Sequence, residues 1–121
     1  MSGNLRKANS TRYNRIVSKV RGRRDPCAIC WHPIDYDLKS PDPMSFELDH
    51  IVPISKGGDP YDPANGQASH RCCNNWRKDR GMRWVDDVMS GAISPRTPPP
   101  IWRDGAEPGA DAMRVSPTFD W

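Results

Sequence analysis

The sequence lacks any apolar run long enough to form a membrane-spanning helix, and no apolar stretch of the signal-peptide kind follows its basic N-terminus. Only 36% of its 121 residues are hydrophobic and 13 are proline, which excludes a large core. A domain of this size usually needs a metal or disulfides for stability. Because we expect a reducing, cytoplasmic compartment, the four Cys are predicted to be metal ligands rather than disulfides.

Acidic residues are missing from residues 1–24, which hold eight Lys and Arg. Residues 25–90 are mildly acidic, with seven basic and eleven acidic side chains. Residues 91–121 hold three basic and four acidic side chains. A basic arm on such a domain indicates a polyanionic partner, most simply nucleic acid. The alternative is a solvated arm that contacts nothing.

The chain divides into a basic arm and helix (1–24), a central domain (25–90) and a proline-rich, flexible tail (91–121). In the arm, a helix is predicted from Ser10 or Thr11 to about Val20, with residues 1–9 disordered. Its apolar face carries four residues at helical spacing: Tyr13, Ile16, Val17 and Val20. In the tail, Trp102 and the terminal 119–121 are apolar islands that could dock on the domain or on a partner.

An acid and a histidine, Asp49 and His50, stand side by side in a short apolar run that ends at Pro53. Neighbouring side chains of a strand point to opposite faces, so Leu48 and His50 share one face and Glu47 and Asp49 the other. The pair can therefore converge only where the strand bends or ends, which Pro53 favours. A carboxylate beside an imidazole is typical of metal-assisted hydrolysis.

Several further motifs occur in order around this pair: Cys27-Ala28-Ile29-Cys30 upstream, then Gly57-Gly58, Asn65, and the run His70 to Lys78 downstream. Together they resemble the HNH endonuclease family, and in particular its small phage and prophage members. The resemblance covers roughly residues 25–81. It implies a small α+β fold with a ββα-metal (His-Me finger) core and a zinc knuckle, to which the sequence adds the N-terminal amphipathic helix and the proline-rich tail.

The resemblance also implies roles for four residues. His50 is the general base that activates water, and Asp49 and Asn74 hold one catalytic divalent cation, Mg²⁺, Mn²⁺ or Ni²⁺. Asn65 takes the central Asn position and orients His50 through its loop. Taken singly, each residue has an ordinary structural explanation, but the joint pattern favours catalysis.

Two Cys or His pairs are available for a structural zinc ion. Cys27 and Cys30 have the usual two-residue gap, and His70 and Cys73 lie three apart on one helical face, a spacing that the family's second knuckle shares. We therefore predict a site of Cys27, Cys30, His70 and Cys73. The rival sets use Cys72 with His70 or His32, and the simplest alternative is buried free thiols.

These motifs predict a metal-dependent endonuclease that hydrolyses double-stranded DNA, by nicking or by cutting both strands. The predicted DNA contacts are Arg71, Arg77, Lys78, Arg80, Arg21, Arg23 and Arg24. The phage-like resemblance implies work beside a terminase large subunit or portal in genome packaging, in the host cytoplasm and away from membranes. The alternative function is a non-catalytic, zinc-stabilised DNA-binding or packaging accessory protein.

Overall fold

The computed structural model describes residues 3–106 together with Pro108 and Met113, and of residues 3–9 it describes the backbone alone. Its elements follow the order α1 (Gly3–Gly22), β1 (Phe46–His50), β2 (Gly66–His70), α2 (Arg71–Arg77) and α3 (Met82–Met89). The predicted α+β fold, a hairpin followed by a helix, is confirmed. Among these residues, no helix is both long and apolar enough to cross a membrane.

Helix α1 buries the face that its sequence pattern predicts. Ile16 and Val20 are buried, and Tyr13 and Val17 are half-buried against the core. The helix begins at Gly3, not at Ser10, so the prediction of a disordered start was wrong for residues 3–9. The run from Leu5 to Ala8 consists of good helix formers, but the apolar periodicity that guided the prediction does not reach it.

The two strands form an antiparallel hairpin in which Leu48 pairs with Ala68 and Asp49 with Gln67. One face of the hairpin meets α1, because a Cβ on Gly66 would lie 2.9 Å from Val20 Cγ2 and 3.2 Å from Leu48 Cδ1. The other face carries Glu47 and Asp49 and is covered by α2. The hairpin is thus enclosed by an apolar helix face on one side and a polar one on the other.

The loop between the strands includes two short 3₁₀ turns, Ile54–Lys56 and Pro63–Asn65. Gly57 adopts a φ of +91°, a left-handed conformation that favours glycine. Gly58 packs against the chain leaving β1, since a Cβ there would lie 1.8 Å from the Val52 carbonyl oxygen. The Gly-Gly pair therefore lets the loop fold back onto the end of β1.

The described part of the proline-rich tail packs on the domain, which differs from the flexible tail expected there. Pro99, Pro100 and Ile101 are buried, and Trp76 Nε1 donates a 2.7 Å hydrogen bond to the Thr97 carbonyl. The Trp102 carbonyl lies 3.0 Å from His32 Nε2, so this segment docks on the domain. Residues 119–121 lie outside the described residues.

Gly58→Ala should lower the free energy of unfolding by about 2 kcal/mol or more, because its methyl group would clash with rigid backbone. Chemical denaturation measures the loss. Gly22→Ala is the control, because beyond its own helix no heavy atom of the described residues lies within 4 Å of its Cβ position, and its φ is ordinary. Equal stability of the Gly58 variant and the control would contradict the close approach.

Candidate functional site

Four buried side chains form a cluster that suits a structural zinc ion: Cys27, Cys30, His70 and Cys73. Their ligand atoms all lie within 4.8 Å of one another. His70 Nδ1 lies 3.4 Å from Cys30 Sγ and 3.9 Å from Cys73 Sγ, close to the edge of about 3.6 Å that a tetrahedral zinc site has between sulfur and nitrogen. The geometry supports the predicted ligand set.

Contacts around the cluster fix its ligands. His70 Nε2 lies 3.1 Å from the Pro33 carbonyl, so Nε2 carries the proton and Nδ1 faces the sulfurs. The Ala28 amide donates to the Ala68 carbonyl and so ties the knuckle to β2. Burial lowers the pKa of His70, but the contacts with Cys27 and Cys30 outweigh it and raise the pKa to about 10. Protons and a metal therefore compete for this cluster.

Cys72 and His32, the members of the rival sets, lie outside the cluster. The Cys72 side chain is buried in the core, and its amide donates to the Pro43 carbonyl. The His32 ring meets the Trp102 carbonyl instead. Adjacent helical residues point in different directions, so Cys73 reaches the cluster and Cys72 does not.

Asp49 lies on the hairpin face that α2 covers, with only 4% of its surface exposed. Its Oδ2 accepts hydrogen bonds from Arg77 Nη1 at 2.7 Å and from Gln67 Nε2 at 2.8 Å, and its Oδ1 accepts the His50 amide. Burial raises the pKa of Asp49, and the Arg77 cation opposes that rise. The carboxylate is thus held in place by a strand neighbour and a helix residue.

Asn74 lies on the same covered face, one position after the zinc-cluster residue Cys73. Its Nδ2 donates to Glu47 Oε1 at 2.7 Å and to the Leu48 carbonyl at 3.4 Å. Its Oδ1 is buried and accepts no hydrogen bond from the described part of the chain. A buried amide oxygen without a donor is costly, so it indicates a further ligand at this point.

Glu47 was not among the predicted site residues. It accepts from Asn74 and from Arg71 Nη1, and burial raises its pKa while both contacts lower it. A signal was present in the sequence, because strand alternation places Glu47 on the same face as Asp49.

His50 is the last residue of β1, so the strand ends at the Asp49–His50 pair. Its Nε2 lies 3.3 Å from the Pro60 carbonyl. Burial lowers the pKa of His50, partly offset by the Pro60 carbonyl and by Asp49. A lowered pKa favours the neutral imidazole near pH 7, the form that accepts a proton.

Asn65 joins the loop to the chain that leaves β1. Its Oδ1 accepts the Val52 amide at 2.8 Å, and its Nδ2 donates to the carbonyls of Val52 and Asp59. The Asp59 carbonyl directly precedes Pro60, whose carbonyl meets the His50 ring. Asn65 therefore braces both segments that flank His50.

Two of the predicted DNA contacts are buried, which corrects their assignment. Arg77 is fully buried, and its guanidinium donates to Asp49, to the carbonyls of His50 and Ile51, and to the Arg80 carbonyl. Arg71 is 8% exposed and pairs with Glu47 at 3.0 Å. Both face the hairpin because α2 lies against its carboxylates.

The other predicted DNA contacts lie nearer the surface. Lys78 and Arg80 are exposed beyond the end of α2. Arg24 is exposed beside the Tyr36 ring, and Arg23 is exposed with its guanidinium on the Pro63 and Gly66 carbonyls. Arg21 is half-buried and donates to the Tyr36 carbonyl.

The polar face of the hairpin fits a hard divalent cation. Such ions take oxygen ligands, and the Oδ1 of Asn74 is a buried oxygen without a donor among the described residues. Among the described residues, Asp49 Oδ1 accepts one amide hydrogen bond, from His50, and so keeps a lone pair for an ion. The buried Arg77 cation works against a very tight site.

Cys73→Ala should abolish zinc binding, whereas Cys72→Ala should keep one zinc ion per chain, because only Cys73 reaches the cluster. Elemental analysis of the purified variants measures the zinc content. We also expect Cys73→Ala to lose its cooperative thermal transition, since metal binding and folding are coupled in small zinc domains. Loss of zinc from the Cys72 variant would contradict the ligand set.

Comparison with known proteins agrees with this geometry. No curated protein and no solved structure matches the chain. The family model described as HNH endonuclease matches residues 27–80, which run from the first knuckle cysteine past the end of α2. These residues contain the whole Cys/His cluster and both strands of the hairpin. Residues 27–80 of this chain thus match the HNH endonuclease family, which supports a nuclease or DNA-binding role with a possible metal site.

Proposed function

We propose that this protein is a metal-dependent endonuclease that hydrolyses phosphodiester bonds of double-stranded DNA. The observation that carries the proposal is the buried, donor-free Oδ1 of Asn74, on the face that also holds the Asp49 carboxylate. A module that only binds DNA needs the zinc cluster but has no use for this second polar site. The HNH match supports the same reaction class.

In this proposal each residue has a separate task. His50, neutral near pH 7 because burial lowers its pKa, takes a proton from the attacking water. Asp49 and Asn74 would hold a divalent cation such as Mg²⁺, Mn²⁺ or Ni²⁺, which supplies charge stabilisation at the scissile phosphate. Asn65 keeps His50 in place through the loop.

In the proposed mechanism, exposed cationic side chains position the DNA backbone. Lys78 and Arg80 directly follow α2, which carries Asn74, and Arg24 follows α1. Arg15 and Lys19 extend the positive charge along the exposed side of α1, opposite its buried apolar face. Such contacts go to phosphate and position DNA without reading its sequence. A terminase or portal partner in genome packaging stays a prediction from the sequence.

His50→Ala should reduce plasmid cleavage by about 10²- to 10⁴-fold in Mg²⁺ or Mn²⁺, the usual effect of removing a general base. The readout is the rate of conversion of supercoiled plasmid to nicked and linear forms. His32→Ala is the matched control, because His32 contacts the tail and lies outside both sites. Wild-type turnover in the His50 variant would overturn the base assignment. Absence of metal-dependent cleavage by the wild type would instead favour the non-catalytic DNA-binding alternative.

Replacing both Arg15 and Lys19 by Gln should weaken DNA binding and flatten its dependence on salt. Each cation that neutralises a phosphate releases about 0.9 counterion, so the slope of log affinity against log salt should fall by up to about 1.8. Fluorescence anisotropy at several salt concentrations measures the slope. The fold should persist, because both side chains are exposed on α1. An unchanged slope would show that this side of α1 does not meet DNA.

A further inference from the structure

Glu47 connects two polar residues of α2, Arg71 and Asn74, to the hairpin. Its Oε2 accepts from Arg71 Nη1 at 3.0 Å, and its Oε1 accepts from Asn74 Nδ2 at 2.7 Å. Only 14% of its side-chain surface is exposed. A carboxylate so enclosed, with one oxygen on each of two different donors, has a defined orientation.

The amide of Asn74 has a donor end and an acceptor end, and its neighbours decide which end faces where. An ionised carboxylate only accepts hydrogen bonds, so Glu47 can bind the nitrogen end alone. The Leu48 carbonyl, 3.4 Å from the same nitrogen, acts in the same sense. The oxygen end is therefore the one directed away from Glu47, into the buried space where it has no donor among the described residues.

The orientation matters because hard divalent cations bind oxygen. An amide nitrogen carries two protons and no free lone pair, so a reversed Asn74 would present hydrogen atoms to the ion.

We propose that Glu47 is a positioning residue that sets the Asn74 amide with its oxygen toward the catalytic cation, and that Arg71 sets Glu47. The inference rests on the proposed metal site and assigns a task to two residues that the proposed mechanism otherwise leaves unused. Neither side chain contacts the cation or the substrate.

Substitution of Glu47 by Gln tests the orientation with almost no change in shape. Arg71 only donates, so the single oxygen of the new amide must face Arg71 and its NH₂ group must face position 74. That NH₂ group needs an acceptor, so Asn74 turns its oxygen to it and its nitrogen to the cation. Because an asparagine amide can present only one end, a single-atom change should remove one metal ligand.

Loss of the negative charge of Glu47 would also weaken cation binding, so the design includes Asn74→Asp. Both terminal atoms of an aspartate side chain are oxygens, so either orientation presents an oxygen to the cation. In the Asn74→Asp protein, Glu47→Gln replaces repulsion between two carboxylates by a hydrogen bond. The orientation proposal therefore predicts that Glu47→Gln weakens Mn²⁺ binding in the wild-type background and leaves it unchanged or tightens it in the Asn74→Asp background, whereas a pure charge effect weakens Mn²⁺ binding in both.

The experiment measures Mn²⁺ binding to full-length, zinc-loaded protein by electron paramagnetic resonance titration. We expect Glu47→Gln to weaken Mn²⁺ binding about 10- to 100-fold in the wild-type background, the usual effect of losing a residue that orients a ligand. In the Asn74→Asp background, the same substitution should leave binding unchanged or tighten it. Zinc content, measured in parallel, should stay constant, because none of the substituted residues belongs to the Cys/His cluster.

Three outcomes would overturn the inference. They are wild-type Mn²⁺ affinity in Glu47→Gln, weakening of the same size in both backgrounds, or wild-type Mn²⁺ binding that Asn74→Ala leaves intact. The plasmid assay is independent. Mn²⁺ binding that follows the predicted pattern without any DNA cleavage would support the role of Glu47 and reject the nuclease.

Discussion

The Cys/His cluster is the constraint on which the rest of the site depends. It joins the knuckle at Cys27 and Cys30 to the end of β2 at His70 and to the first turn of α2 at Cys73. Because α2 starts directly after His70, the cluster sets the rotation of this short helix about its axis. Asn74 is the next residue after Cys73, so the same constraint turns it toward the hairpin. The Cys/His cluster thus determines the register of the proposed catalytic site.

The polar face between α2 and β1 is organised by charge pairs rather than by apolar packing. Arg77 pairs with Asp49 at 2.7 Å and Arg71 with Glu47 at 3.0 Å, and all four side chains are largely buried. Burying ion pairs seldom adds stability, since desolvation cancels much of the attraction. Their value here is positional, because each arginine holds one carboxylate of β1 at a fixed point. In so small a domain, this leaves the apolar face toward α1 and the metal cluster as the main sources of stability.

The loop after β1 contacts the His50 ring and ties it to the rest of the fold. It carries a left-handed glycine, Gly57, and a close backbone approach at Gly58, and Asn65 closes it with three side-chain hydrogen bonds. A loop held at so many points keeps its carbonyls in place, including the one at Pro60 that meets His50. Preorganisation of this kind would keep His50, the proposed general base, oriented without a rigid strand around it.

Much of the local structure followed from the sequence alone. The spacing of Tyr13, Ile16, Val17 and Val20 identified the buried face of α1, and the cysteine spacing identified the knuckle, because both depend on local periodicity. Pro53 indicated that β1 ends close to the Asp49–His50 pair, and the structure places the end at His50. Packing decided what local patterns could not. The sequence predicted that Arg71 and Arg77 are surface cations, but α2 directs them toward the hairpin, where they pair with Glu47 and Asp49. The sequence predicted a flexible tail, but Pro99 and Pro100 are buried against the domain. Both differences have one physical reason: whether a cation or a proline is buried depends on which distant surface it meets, and only the tertiary structure brings those surfaces together.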